Sequence, residues 1–225
     1  MERIMGEILR AENISKTYHM GSVEVQALKK CSLTADRGEY VAVIGKSGSG
    51  KSTLLKILAS FDRPDSGNVV IDGQDILSCN EKKLSKLRRE KIGFIYQDYR
   101  LFSEYTAYEN VVLPLFIDKK IPVDEEVDEI FEMLQISDCK KKYPSQMSGG
   151  QQQRTAIARA LIARPAVIFA DEPTGNLDAE NADGVARILS QASMRYGQTI
   201  VMVTHDKQMA DYADRIIMLK DGCCG

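Results

Sequence analysis

Two stretches of this chain set glycine beside groups that hold phosphate. Gly45-Lys46-Ser47-Gly48-Ser49-Gly50-Lys51-Ser52, with Thr53 next, has the spacing of a phosphate-binding loop. Glycines there let main-chain N–H groups come close to phosphate oxygens that a side chain would keep away. Lys51 brings a cation to the β- and γ-phosphates, and Ser52 offers a hydroxyl to Mg²⁺. A second glycine pair, Ser148-Gly149-Gly150-Gln151, precedes a helical pattern and supplies another helix N-terminus with free N–H groups. Further on, Val167-Ile168-Phe169-Ala170-Asp171-Glu172 ends an apolar run in two carboxylates. Asp171 is placed to hold the metal through water, and Glu172 to orient or activate the attacking water. Phosphoryl transfer asks mainly for such positioning and for neutralised charge. A chain with two phosphate-gripping ends is most economically used as a symmetric dimer, each copy closing the other's site.

The elements that must carry these residues read as α/β. Strand signals fall at Ile8–Ala11, Val23–Ala27, Tyr40–Ile44, Asn68–Ile71, Ile92–Tyr96, Ala166–Ala170, Thr199–Thr204 and Ile216–Leu219. Several are continuous apolar runs, the mark of parallel strands covered on both faces. Helical patterns fall at Ser52–Ser60, Gln151–Ala163, Ala182–Ser193 and Lys207–Ala213, so strand and helix alternate as crossover connections require. Residues 7 to 40 are rich in strand signals and predict a smaller antiparallel layer. Residues 100 to 160 are mainly helical; Val127, Ile130, Phe131 and Leu134 recur at helical spacing behind the acidic first turn Asp124, Glu125 and Glu126.

The 225 residues have ample length for a core, with 44% hydrophobic and 28% charged residues, an ordinary globular balance. A net charge of −2 gives no reason to expect nucleic acid on a whole face. Glu2, Arg3, Glu7 and Arg10 break up the N-terminal apolar residues, against a secretory signal. The apolar stretch Val111–Ile117 is too short to cross a bilayer. Cys31, Cys79, Cys139, Cys223 and Cys224 show neither zinc spacing nor a disulfide framework, so reduced thiols are expected. The terminal cysteines do not form a prenylation box, because Gly222 stands fourth from the end. Lys82, Lys83, Lys86, Arg88, Arg89 and Lys91 read as a solvated helix face, with a membrane partner or acidic lipid as the alternative it could meet.

With Met147 leading into Ser148-Gly149-Gly150-Gln151-Gln152-Gln153-Arg154, the whole set, from about Ile8 to Gly222, resembles the nucleotide-binding subunits of ABC transporters. The resemblance implies one nucleotide-binding domain over residues 1–225. It consists of a phosphate-loop core with a mainly parallel sheet, an N-terminal antiparallel β layer and an inserted helical subdomain at about 100–160. By position it makes Gln97 the glutamine that touches metal and water near the permease contact, and His205 the switch histidine at the γ-phosphate. Asp178 becomes the aspartate that passes information across the dimer, and Tyr18 the aromatic stacked on adenine. ATP and Mg²⁺ are the implied cofactors. One departure is Met147 where the family usually has leucine, an apolar exchange of similar size.

The stretches Ile92–Gln97, Glu109–Leu115, Gln151–Gln153 and Asp171–Asp178 resemble the lipoprotein-releasing, macrolide-exporting, FtsE-like and bacitracin-type ATPases. That implies a second copy of the chain and a separate FtsX-like permease as partners. It places the protein peripherally on the cytoplasmic face of the membrane, working in export, extraction or mechanotransmission. An FtsE-like regulator of cell-wall hydrolases is the alternative, with the same chemistry and another membrane partner. A DNA-repair ATPase of this family needs long coiled-coil heptads, and a translation factor needs two phosphate loops; neither fits here.

Overall fold

The computed structural model describes residues 6–21 and 23–225, so the reading of Glu2 and Arg3 lies outside the described residues. The chain opens with two long strands, β1 (Glu7–Met20) and β2 (Val23–Asp36), then β3 (Tyr40–Ile44) and helix α1 (Lys51–Leu58). β4 (Ser66–Ile71), β5 (Gln74–Asp75), α2 (Glu81–Lys91) and β6 (Ile92–Ile95) follow. Three helices come next: α3 (Ala107–Ile117), α4 (Asp124–Met133) and α5 (Gly149–Leu161). The remainder is β7 (Val167–Asp171), α6 (Ala179–Tyr196), β8 (Thr199–Thr204), α7 (Lys207–Ala210), β9 (Arg215–Lys220) and β10 (Cys223–Cys224).

Two sheets result. One has the order β10-β9-β3-β8-β7-β6, and its strands β9, β3, β8, β7 and β6 run parallel. The other is antiparallel, in the order β2-β1-β4-β5. β3 shows why the parallel strands read as unbroken apolar runs. Val41 and Val43 point into a core shared with the antiparallel layer and α1, while Tyr40, Ala42 and Ile44 point into a second core shared with α3 to α6. Successive side chains alternate faces, so a strand covered on both sides needs apolar residues at every position.

The expected strands β1 and β2 prove much longer than their apolar signals. Register shifts around Ala11 to Thr17 and the left-handed backbones of Asn13 (φ 52°) and Lys30 (φ 49°) break the two-residue alternation. Helix α3 contains the apolar stretch considered above. Thr106 starts it through a capping box with Glu109, even though Pro114 lies inside. Helix α2 buries Leu84 and Leu87 and leaves Lys82, Lys83, Lys86 and Arg89 exposed, while Arg88 bonds the Ser60 carbonyl and Lys91 pairs with Asp72.

The expectation of reduced thiols is corrected: Cys31 on β2 and Cys224 on β10 are joined in a disulfide across 193 residues of sequence. The pair meets because the β9–β10 turn lies against β2, where the Lys29 N–H donates to the Gly222 carbonyl at 2.8 Å. No spacing rule reveals such a meeting. Cys79 and Cys139 are buried thiols and Cys223 an exposed one. Among the described residues no helix is long and apolar enough to cross a membrane.

Candidate functional site

The phosphate loop leaves the C-terminal end of β3 and enters α1. Gly50 has φ 102° and passes so near β2 that a Cβ there would stand 2.3 Å from the Ala27 carbonyl oxygen, which only glycine allows. No side chain caps α1, so its first N–H groups are open to an anion. The Lys51 ammonium is almost wholly buried; it donates to the Gly45 carbonyl at 2.8 Å and the Lys46 carbonyl at 3.1 Å. It also lies 3.6 Å from Glu172. Lys46, Ser47 and Gly48 form the exposed rim, and Ser49 is buried beneath it.

Strand β7 delivers the carboxylates to the same edge. Ser52 Oγ donates to Asp171 Oδ1 at 3.0 Å across 119 residues. Burial raises the Asp171 carboxyl above its ordinary pKa, the Ser52 bond opposes that, and the nearby Glu172 charge adds to it. Two hard oxygen donors, one of them a carboxylate that loses by being desolvated, form a pair that a divalent cation fits and relieves.

Glu172 adopts a left-handed backbone, φ 46°, rare for a glutamate and common at sites where geometry is imposed from outside. Its N–H donates to the Val203 carbonyl of β8 at 3.0 Å, and its carboxylate meets His205 Nδ1 at 2.8 Å. Lys51, Ser52, Asp171, Glu172 and His205 are thus one connected cluster.

Gln97 stands against the loop that follows Glu172. Its amide points to Asn176 (3.5 Å) and packs on Gly175, and Asn176 Nδ2 donates to its carbonyl at 2.9 Å. Its hydrogen bonds therefore go to the loop behind Glu172 instead of to Asp171 or Ser52. Tyr18 sits half-buried near α1, its ring fixed by a 2.7 Å hydroxyl bond to Asp62, which Lys16 also contacts at 3.2 Å.

The second glycine pair is built separately. Ser148 caps α5 in a capping box with Gln151, which places Gly149 and Gly150 in the first turn. A Cβ on Gly150 would stand 2.5 Å from Asn181 Oδ1. Asn181 is in turn held by Asp178, which caps α6 and accepts both the main-chain and side-chain N–H of Asn181. Asp178 therefore reaches the glycine pair through Asn181. Sequence reading missed Asn176, Asn181 and Asp62.

A separate crevice of about 800 Å³ opens at the other end of the parallel strands, beside Ala166 and Thr199. Its cations Arg37, Lys91, Arg164 and Arg195 are all paired with carboxylates. Ligands of such sheets bind at the carboxyl ends of the strands, where Gly45, Asp171 and His205 stand.

A family model described as ABC transporter matches residues 28–175, the phosphate loop, the glycine signature and the paired carboxylates included. This chain belongs to the ABC transporter family. It is 41% identical over 224 residues to a lipoprotein-releasing system ATP-binding protein LolD of Shewanella frigidimarina, covering 99% of this chain and 94% of that one. It is 45% identical to the LolD of Cytophaga hutchinsonii, covering 97% and 99% of the two chains. The bacitracin export ATP-binding protein BceA of Halalkalibacterium halodurans is 43% identical, with 96% and 86% covered. Among solved structures, the dimeric bacterial ABC transporter cassette MJ0796 superposes with TM-score 0.88 at 40% identity, 96% of each chain covered. Its dimeric post-hydrolysis state bound to ADP and Pi superposes with TM-score 0.88 at 39% identity. Members of the ABC transporter family bind and hydrolyse ATP, and this chain has the connected cluster that such chemistry needs.

Proposed function

We propose that residues 1–225 form one nucleotide-binding domain, with about 100–160 as its helical arm, and that two copies sandwich two ATP molecules. The observation that carries this reading is the separation of the two phosphate-gripping ends. Helix α1 begins with no side-chain cap, the Ser148–Gly150 cap is built on a different helix, and no hydrogen bond joins the two among the described residues. Each ATP is gripped by Gly45 to Thr53 of one copy, with Tyr18 against the adenine, and by Ser148, Gly149, Gly150 and Gln151 of the other. Asp178 lies at the joint between them.

Hydrolysis is a matter of placement. Glu172 orients the attacking water, and His205, bonded to Glu172, stands beside the γ-phosphate. Lys51 leaves its loop carbonyls for the β- and γ-phosphates. Ser52 and Asp171 would hold Mg²⁺, with Gln97 completing the set, and the metal supplies neutralisation of the phosphate charge. Loss of the γ-phosphate removes what joins the copies, and the dimer reopens.

The membrane partner is an FtsX-like permease that grips the surface beside Gln97. Phe61, Phe94 and Tyr96 stack there, Arg100 lies 4.3 Å over the Tyr96 ring, and Phe102 and Tyr105 are exposed. The protein then works peripherally at the cytoplasmic face of the membrane. The likeness to LolD and BceA supports export or extraction of lipoprotein or peptide cargo.

Glu172→Gln tests the chemistry: it retains ATP, loses at least about a hundredfold in turnover, as expected when a water-positioning group goes, and accumulates an ATP-bound dimer in sedimentation. Full turnover removes Glu172 from its role. Ser47→Cys, on the exposed rim of the loop, with Ser148→Cys tests the sandwich, since crosslinks should join separate molecules only with nucleotide present.

A further inference from the structure

Arg159 stands near the C-terminal end of α5, ten residues beyond Gly149 and so about 15 Å along one rigid rod. Its side chain is half-buried, and among the described residues no carboxylate pairs with it. Instead one guanidinium nitrogen donates to the Tyr99 carbonyl at 2.8 Å and the other to the Arg100 carbonyl. Burial works against this charge. A cation taken from water and answered only by neutral carbonyls is a costly way to fill space.

What the fork holds is itself unusual. Tyr99 (φ 59°) and Arg100 (φ 47°) are consecutive left-handed residues, a conformation that costs each about 1 kcal/mol or more. The same segment touches α5 again at the far end, where a Cβ on Gly149 would stand 3.0 Å from the Tyr99 hydroxyl. Two points of attachment fix the direction of a rod, whereas one leaves a hinge. On its other side the segment is tied at Gln97 to Asn176, in the loop behind Glu172.

We propose that Arg159 is a positioning residue that locks the Gln97–Arg100 segment to α5, so that moving this segment swings Ser148, Gly149 and Gly150 as one body. The inference rests on the two-copy reading above and adds to it the part that converts a pull at the permease surface into the angle of the glycine pair. The Arg159 end of the linkage runs through main-chain carbonyls, whereas the Gly149 end depends on the Tyr99 side chain.

The test uses the full chain carrying Glu172→Gln, in which ATP-bound dimers persist, with turnover measured in the unsubstituted chain. Arg159→Met removes the fork and keeps the aliphatic stem, whereas Arg159→Lys keeps the charge and one donor group. ATP affinity of the dilute monomer should stay within about twofold in both, because the Lys51 loop sets it. ATP-driven dimerisation, measured by sedimentation, should weaken at least about tenfold in Arg159→Met, the loss of one charged hydrogen-bonded group, and recover in part in Arg159→Lys. Turnover should fall in the same order. Undiminished dimerisation in Arg159→Met overturns the proposal. So does a loss of monomer ATP affinity that tracks a fall in melting temperature, since Arg159 is then only a folding residue. If the Glu172→Gln parent fails to dimerise, the two-copy reading itself is lost, and the inference with it.

Discussion

Asp171 is worth more to the loaded protein than to the empty one. Burial raises its pKa, so the folded chain takes up a proton there more readily than the unfolded chain does. The sign follows: the carboxyl costs nothing below the ordinary carboxylate range and costs stability once pH rises through its raised value. Asp171→Asn should therefore raise the melting temperature of the nucleotide-free protein near neutral pH, with the gain fading as pH falls toward 3.8 and below. The same variant should lose the further stabilisation that MgATP gives the parent, measured by thermal denaturation with and without ligand. A melting temperature unchanged or lowered at neutral pH removes the desolvation account. At this scale the sequence was legible where function is local. Lys51, Ser52, Asp171 and Glu172 stand in short motifs, and a loop or a strand end presents them together. Asn176 was not legible, because its work is a bond to the Gln97 carbonyl 79 residues away, and an isolated asparagine carries no sign of such a partner.

Helices α5 and α6 are positioned by their first turns. The Ser148 capping box fixes where α5 begins, and the Asp178 cap does the same for α6. The two caps meet where Gly150 faces Asn181, and the missing Cβ is what lets them close. Gly150→Ala must push Asn181 aside, which disturbs the hydrogen bonds to Asp178 and tilts the glycine cap. ATP-driven dimer formation should fall at least about tenfold, as for other overpacked contacts, while the monomer's ATP affinity holds. Adding Asn181→Ala should restore part of the loss by removing the clashing oxygen; no recovery in sedimentation means the defect lies with the helix cap alone. Elements were legible in proportion to how undisturbed their periodicity is. The unbroken run of β3 gave its place in the parallel sheet at once. β1 was underread because its bulges reset the alternation. α3 fell within the segment read as mainly helical but its bounds were not drawn, because Val111 to Ile117 carry an apolar run with Pro114 inside, although Thr106 and Glu109 spell out its start. Asn110, fully buried, bonds the Phe102, Tyr105 and Thr106 carbonyls to secure that start, a network that only the folded chain displays.

Two cores, one on each face of the parallel sheet, hold the molecule together, and the chain's end returns to brace its active edge. The Gly222 N–H of the β9–β10 turn donates to the Ser49 carbonyl of the phosphate loop at 3.2 Å, and its carbonyl accepts from Lys29 of β2. The Cys31–Cys224 bond makes this return covalent across 193 residues. A closed loop that long removes unfolded-state entropy worth about 5 kcal/mol at most, and measured bridges deliver about 2–4. For a chain of 225 residues, with unfolding entropy of about 2.1 cal/mol/K per residue, that is about 4–8 °C in melting temperature. Cys224→Ser should therefore melt about 4–8 °C below the parent without reductant. With a phosphine reductant present the gap should close, because the parent then loses the same link. Cys223→Ser should melt with the parent under both conditions, its thiol being exposed and unbridged. On the proposed placement at the cytoplasmic face, reducing thiols oppose the bond. Almost complete burial of Cys31, only 1% exposed, protects it, so attack must come at Cys224. If the Cys224→Ser gap persists in reductant, the cysteine stabilises by packing, and the terminus is held by the β9–β10 hydrogen bonds without a covalent link.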